Sequence, residues 1–168
     1  MNNVIDILTK ELDERKLLFE KKPIIIGGMA KEYYGIRKTG LDIDLIICDE
    51  DYNRISEKYP VNRKDIWGDF GIVIEPFEMW RCIHLLDYSF FVENAIDENI
   101  AYVVSLEKLM IMCIFGKRNP KIDKDLELLG QYFYKYRNKS YIEEADKHLD
   151  SYKNNKDGII YGGKYNYN

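Results

Sequence analysis

The sequence predicts an α+β fold: a short mixed β-sheet flanked by helices, with a helical segment toward the C-terminal end. Three observations predict it. Two apolar runs with strand character, I-I-I at 24–26 and L-D-I-D-L-I-I-C at 41–48, are joined by a glycine pair and a short helical stretch. Apolar residues recur at helical spacing over 4–20 and again over 123–136. Two further strand-like runs, 61–67 and 71–77, flank a Gly-Asp turn and read as a hairpin.

The elements follow in order. Val4, Ile5, Leu8, Leu12, Leu17 and Leu18 make one stripe of an N-terminal helix over 4–20. Pro23 ends it, because the residue before a proline disfavours helix. Ile24–Ile26 are β-branched and continuous, as in a strand buried on both faces. Gly27 and Gly28 close that strand, a helix over 29–34 follows, and Gly35 is placed to end it. A turn over 36–40 leads into the 41–48 strand. Asp49, Glu50 and Asp51 open a helix to about residue 59, which Pro60 stops. After the 61–77 hairpin the stretch 80–87 is ambiguous, and 88–95 is a short helix or turn. A strand over 100–104 leads to Ser105, an N-cap for a helix over 106–115. A basic loop, a helix over 123–136 and a last helix to about 152 complete the fold. The expected organisation is a single domain over 1–152, with its core in 1–104 and the helical segment in 105–152. Residues 153–168 read as a flexible tail rich in tyrosine and glycine.

Composition narrows the function. The chain has 168 residues, 46% hydrophobic and 32% charged, which fits a soluble globular protein. A net charge of −4 argues against bulk nucleic-acid binding. Cys48, Cys82 and Cys113 are odd in number and widely spaced, so neither a disulfide framework nor a zinc site is expected, and the compartment is cytoplasm-like. Nothing in the N-terminal stretch reads as a signal peptide, and no apolar run reaches the ~20 residues of a membrane span.

The chemistry concentrates in 23–48. Side chains alternate across a strand, so Asp42 and Asp44 share a face that Ile43 and Leu45 do not. Two ionised carboxylates side by side repel unless a cation lies between them, which points to a divalent metal. Gly27 and Gly28 lead directly into a helix, where free N–H groups suit an anion such as phosphate.

Gly27, Gly28 and Ala30, then Gly35, Arg37, Thr39, Asp42, Asp44 and Leu45, spell G-G-x-A followed by G-x-R-x-T-x-D-I-D-L. This pattern resembles the nucleotidyltransferase superfamily, with a polymerase-β-like fold, and most closely its small members. These include the aminoglycoside and lincosamide nucleotidyltransferases and the abortive-infection and toxin types. The likeness extends to about Leu129 through I-V-I-E-P-F, V-x-S-L-E-x-L and K-x-x-K-D-L. It implies a nucleotidyltransferase-like sheet and a Mg²⁺-dependent enzyme, with two ions that Mn²⁺ could replace. A nucleoside monophosphate would pass from an NTP to an acceptor hydroxyl on a small molecule, an RNA end or a protein. Asp42, Asp44 and Glu75 would be catalytic and hold the metal, with Asp69 the alternative to Glu75. Gly27, Gly28, Met29, Arg37, Thr39 and Lys124 would contact the nucleotide, with Lys121 beside Lys124 on the same segment. Met29 stands where the family usually has a small polar residue. The alternative reading is a non-catalytic module of the same fold that binds a nucleotide or a partner protein.

Overall fold

Three consecutive isoleucines hold the centre of the sheet. β1 (Ile24–Ile25) is fully buried and lies between β2 (Ile43–Ile46) and β9 (Tyr102–Val103), antiparallel to the first and parallel to the second. The computed structural model describes residues 3–66, 69–116 and 119–137. Two compact units divide the chain, Met1–Leu126 and Glu127–Asn168. The expected helix to 152 and the 153–168 tail lie outside the described residues.

The first unit is α+β, as the sequence predicts. Its sheet runs β3-β4-β5-β2-β1-β9-β8, with β3 at Arg63–Ile66, β4 at Asp69–Ile74, β5 at Phe77–Trp80 and β8 at Ile96–Asp97. β3, β4 and β5 are antiparallel neighbours, while β5 joins β2 in parallel, so the sheet is mixed. A separate small hairpin pairs β6 (Cys82–Ile83) with β7 (Leu86–Asp87). β6 and β7 occupy most of the 80–87 stretch that the sequence leaves ambiguous. The expected 71–77 strand ends at Ile74, a turn at Glu75 and Pro76 follows, and Phe77 begins a new strand.

Helix α1 (Asn3–Arg15) buries Val4, Leu8 and Leu12. It stops five residues earlier than its apolar stripe suggests. Lys16 has a left-handed backbone (φ 51°), and the Leu17 N–H donates to the Leu12 carbonyl, a bond that closes a helix end. Leu17 is then buried, whereas Leu18 is exposed. Helix α2 (Gly27–Tyr33) ends as expected at Gly35, with the Ile36 N–H on the Lys31 carbonyl at 2.9 Å. Ser105 caps α5 (Leu106–Phe115) by accepting the Lys108 N–H. Asp87 does the same for α4 (Tyr88–Val92) through the Phe90 N–H. Helix α6 (Pro120–Tyr132) starts in the first unit. In the second, its last residues lead into a wider π-helical turn at Phe133–Arg137.

The acidic start of α3 (Asp49–Lys58) works differently from a simple cap. Cys48 holds the N-cap position and its side chain makes no capping bond. Asp51 is fully buried and accepts the backbone N–H groups of Glu20 and Lys21 at 3.0 and 3.3 Å, with Arg54 at 2.5 Å. It therefore pins the segment between α1 and β1. Burial pushes the Asp51 carboxyl up, but the Arg54 and backbone donors outweigh it and hold the group below its ordinary value. Asp51→Asn should cost about 2–3 kcal/mol in urea denaturation, because buried N–H donors lose an ionised acceptor.

Candidate active site

β2 carries the site because its two faces differ. Ile43 and Leu45 point into the core at 3% and 0% exposure, which turns Asp42 and Asp44 to the opposite face. Asp42 is exposed and Asp44 half-buried. The parallel register sets Asp44 directly beside Glu78 of β5. Burial, and then the negative charges of Glu78 and Asp42, raise the Asp44 carboxyl above its ordinary value, with Lys121 and Lys31 opposing them.

The glycine pair meets this strand closely. Gly27 has φ +59°, and a Cβ placed there would stand 2.1 Å from the Asp44 Oδ2. No other residue fits both the backbone conformation and the space. A Cβ at Gly28 would stand 3.0 Å from the Thr39 Oγ1. Gly27→Ala should cost about 2–4 kcal/mol, from the left-handed backbone and the collision together, and should displace the Asp44 side chain. Thermal unfolding measures that cost.

Gly28, Arg37, Thr39, Gly40, Asp42, Asp44 and Lys121 line a cleft of about 40 Å³, room for ions or a few waters. Its lining combines the carboxylates of Asp42 and Asp44 with the cations Arg37 and Lys121 and with Thr39. The Thr39 Oγ1 is buried and has no hydrogen-bond partner among the described residues. An orphaned buried hydroxyl facing a cleft is a donor held for something that enters it.

A buried carboxylate holds Arg37 in place. Asp125 of α6, 2% exposed, accepts Arg37 through both oxygens, Nε at 2.6 Å and Nη2 at 3.0 Å. The same carboxylate accepts the buried Lys31 Nζ at 2.5 Å. Two cations on one carboxylate leave a net positive charge beside the cleft. Burial works against the Asp125 charge, but the Arg37 and Lys31 donors prevail and keep its carboxyl below the ordinary value. The Arg37 guanidinium is correspondingly pushed up by its bonds to Asp125. Glu32 fixes the rest of the loop, accepting Lys38 Nζ at 2.6 Å and the Thr39 N–H at 2.8 Å.

Comparison with family models, with curated proteins and with solved structures finds no match. The site is therefore described from its own residues.

The structure brings together Gly27, Gly28, Arg37, Thr39, Asp42 and Asp44, all singled out from the sequence. It moves three others. Glu75 is exposed in the β4–β5 turn, its carbonyl accepting Arg15 Nε from α1. Arg15 also lies against Phe77, and Glu75 is not among the residues lining the cleft. Glu78 takes the place beside Asp44 instead. Asp69 is no substitute; it begins β4 and accepts the Leu85 N–H. Met29 is 1% exposed and belongs to the core, so only its backbone could face a ligand. Lys124 is exposed on α6 and is not among the residues lining the cleft, where Lys121 stands.

Asp125, Lys31 and Glu78 escape the sequence reading. The signal for Glu78 was present in F-E-M-W, where polar and apolar residues alternate after a proline that starts a strand. Nothing local marks Asp125, because its partners lie 88 and 94 residues away.

The donors suit a hard divalent cation: carboxylate oxygens only, with no thiol or imidazole lining the cleft. Among the described residues, no three His, Cys, Asp or Glu side chains are gathered to hold a metal as they stand. Glu78, beside Asp44 in the register, has its Oε1 accepting Lys64 Nζ at 2.9 Å.

Proposed function

We propose that this protein is a divalent-metal-dependent nucleotidyltransferase, moving a nucleoside monophosphate from an NTP to an acceptor hydroxyl. One observation carries this reading: the lining of the cleft combines Asp42 and Asp44 with Gly28, Arg37, Thr39 and Lys121. Asp42, Asp44 and a rotated Glu78 would hold Mg²⁺ or Mn²⁺, which supplies positive charge to the phosphate oxygens when bound.

The chain's own residues do the rest. The backbone at Gly27 and Gly28 has no Cβ to block an approaching phosphate, and the Thr39 hydroxyl supplies a donor. Arg37 and Lys121 stabilise the charge that builds on the departing pyrophosphate. Glu78, the partly exposed carboxylate paired with Asp44 in the strand register, takes the proton of the acceptor hydroxyl. The acceptor oxygen attacks the α-phosphorus, the bond to the bridging oxygen breaks, and pyrophosphate leaves with that electron pair. The acceptor is a small molecule, an RNA end or a protein side chain; the net charge of −4 weighs against bulk nucleic acid. No described helix is long and apolar enough to cross a membrane.

A second reading, a module that binds nucleotide without transferring it, is favoured by the ion pair that Glu78 makes with Lys64. Incubation with each α-labelled NTP and Mg²⁺ or Mn²⁺ separates the two. Pyrophosphate release with label transfer, lost in Asp44→Asn, supports the enzyme. NTP-dependent thermal stabilisation without transfer supports the module, and neither response removes both.

A further inference from the structure

We infer that Lys64 is the built-in counter-cation of the third carboxylate, holding Glu78 in the metal-free protein and giving it up when a divalent ion binds Asp44 and Glu78. This rests on the metal site proposed above and adds its regulation. Lys64 belongs to the edge strand β3, two strands away from Glu78, and the register shows how it reaches across. Lys64 stands opposite Gly71 on β4, and Gly71 stands opposite Trp80 on β5. A Cβ at Gly71 would meet the Trp80 ring at 2.7 Å, so the ring occupies the space a side chain would need. The Lys64 ammonium lies 5.5 Å from the centre of that ring, a cation–π distance, and ends on Glu78 Oε1 at 2.9 Å.

The pair has the properties of a displaceable contact. Both side chains are partly exposed, 37% for Lys64 and 26% for Glu78, and ion pairs at such sites contribute little to stability. Glu78 needs only a side-chain rotation to turn from Lys64 toward its neighbour Asp44. A divalent ion there repels the Lys64 ammonium and takes over its role. Lys64 thus keeps an otherwise crowded carboxylate site neutralised, at the expense of metal affinity.

Trp80 reports the exchange directly. The chain has two tryptophans, so a Trp67→Phe background leaves Trp80 as the sole indole. Mg²⁺ should change its emission saturably as the ammonium leaves the ring, and this change should vanish in Lys64→Met. Free-Mn²⁺ resonance should show Lys64→Met binding about three- to tenfold tighter than the parent, and Lys64→Arg close to the parent, as loss of one weak competing pair implies. Two results would overturn the inference while leaving the metal site standing: Lys64→Met binding Mn²⁺ no tighter, or Trp80 emission indifferent to Mg²⁺ in protein that binds the ion through Asp44. Absence of Mn²⁺ binding, or binding unaffected by Asp44→Asn, removes the proposed metal site and the inference with it.

Discussion

Asp44→Asn should abolish nucleotidyl transfer, lowering kcat by about 10³-fold, while the protein becomes more stable by about 0.5–2 kcal/mol at neutral pH. The two effects share one cause. Asp44 is partly buried beside Glu78 and Asp42, and these like charges disfavour its ionised form. An amide of the same shape removes a charge from that cluster without leaving a void. Function needs the negative charge that the fold alone would do better without. Urea denaturation without divalent ions checks the stability, and pyrophosphate release checks the rate. A destabilised Asp44→Asn protein would mean that Asp44 is a structural partner and that the crowding counts for little.

Asp125→Ala should be strongly destabilising, costing about 3–5 kcal/mol. Truncation leaves the Lys31 ammonium, 5% exposed, without its acceptor, and frees Arg37 from a two-point grip. The first effect unfolds; the second loosens the Arg37 loop that lines the cleft. The pH dependence follows from the sign of the shift. The Asp125 carboxyl lies lower in the folded chain than its unfolded value of about 3.9. Its contribution is therefore present above about pH 4 and is lost as the pH falls through the folded value. The stability gap between parent and Asp125→Ala should hold from pH 7 to about pH 5 and close in stronger acid. Denaturation series at several pH values measure it. Asp125→Asn, which keeps the shape, should show the same direction with a smaller loss and a raised KM for the NTP.

Much of the fold was legible because it is local. Ser105 and Gly35 mark helix ends through bonds to residues a few positions away, and both act as their neighbours suggest. Helix α1 shows the limit of periodicity. Leu17 and Leu18 continue its apolar stripe, yet the chain turns at Lys16 and only Leu17 is buried. The region after Gly71 shows a different limit. The expected 71–77 strand stops at Ile74, Pro76 lies in the turn before another, and the register sets Glu78 beside Asp44.

The strand that carries Asp44, with Asp42 just before it, the common face of those two residues, and the need for glycine next to them are legible in the chain alone. Alternation along a strand and the absence of a Cβ are properties of the covalent chain. The tertiary structure alone decided which residues meet them. Strand register chose Glu78, helix α6 brought Asp125 and Lys121, and the small volume of Gly71 let Lys64 reach across the sheet. Each of those choices joins residues distant in sequence, where no local rule of spacing or propensity constrains the partner.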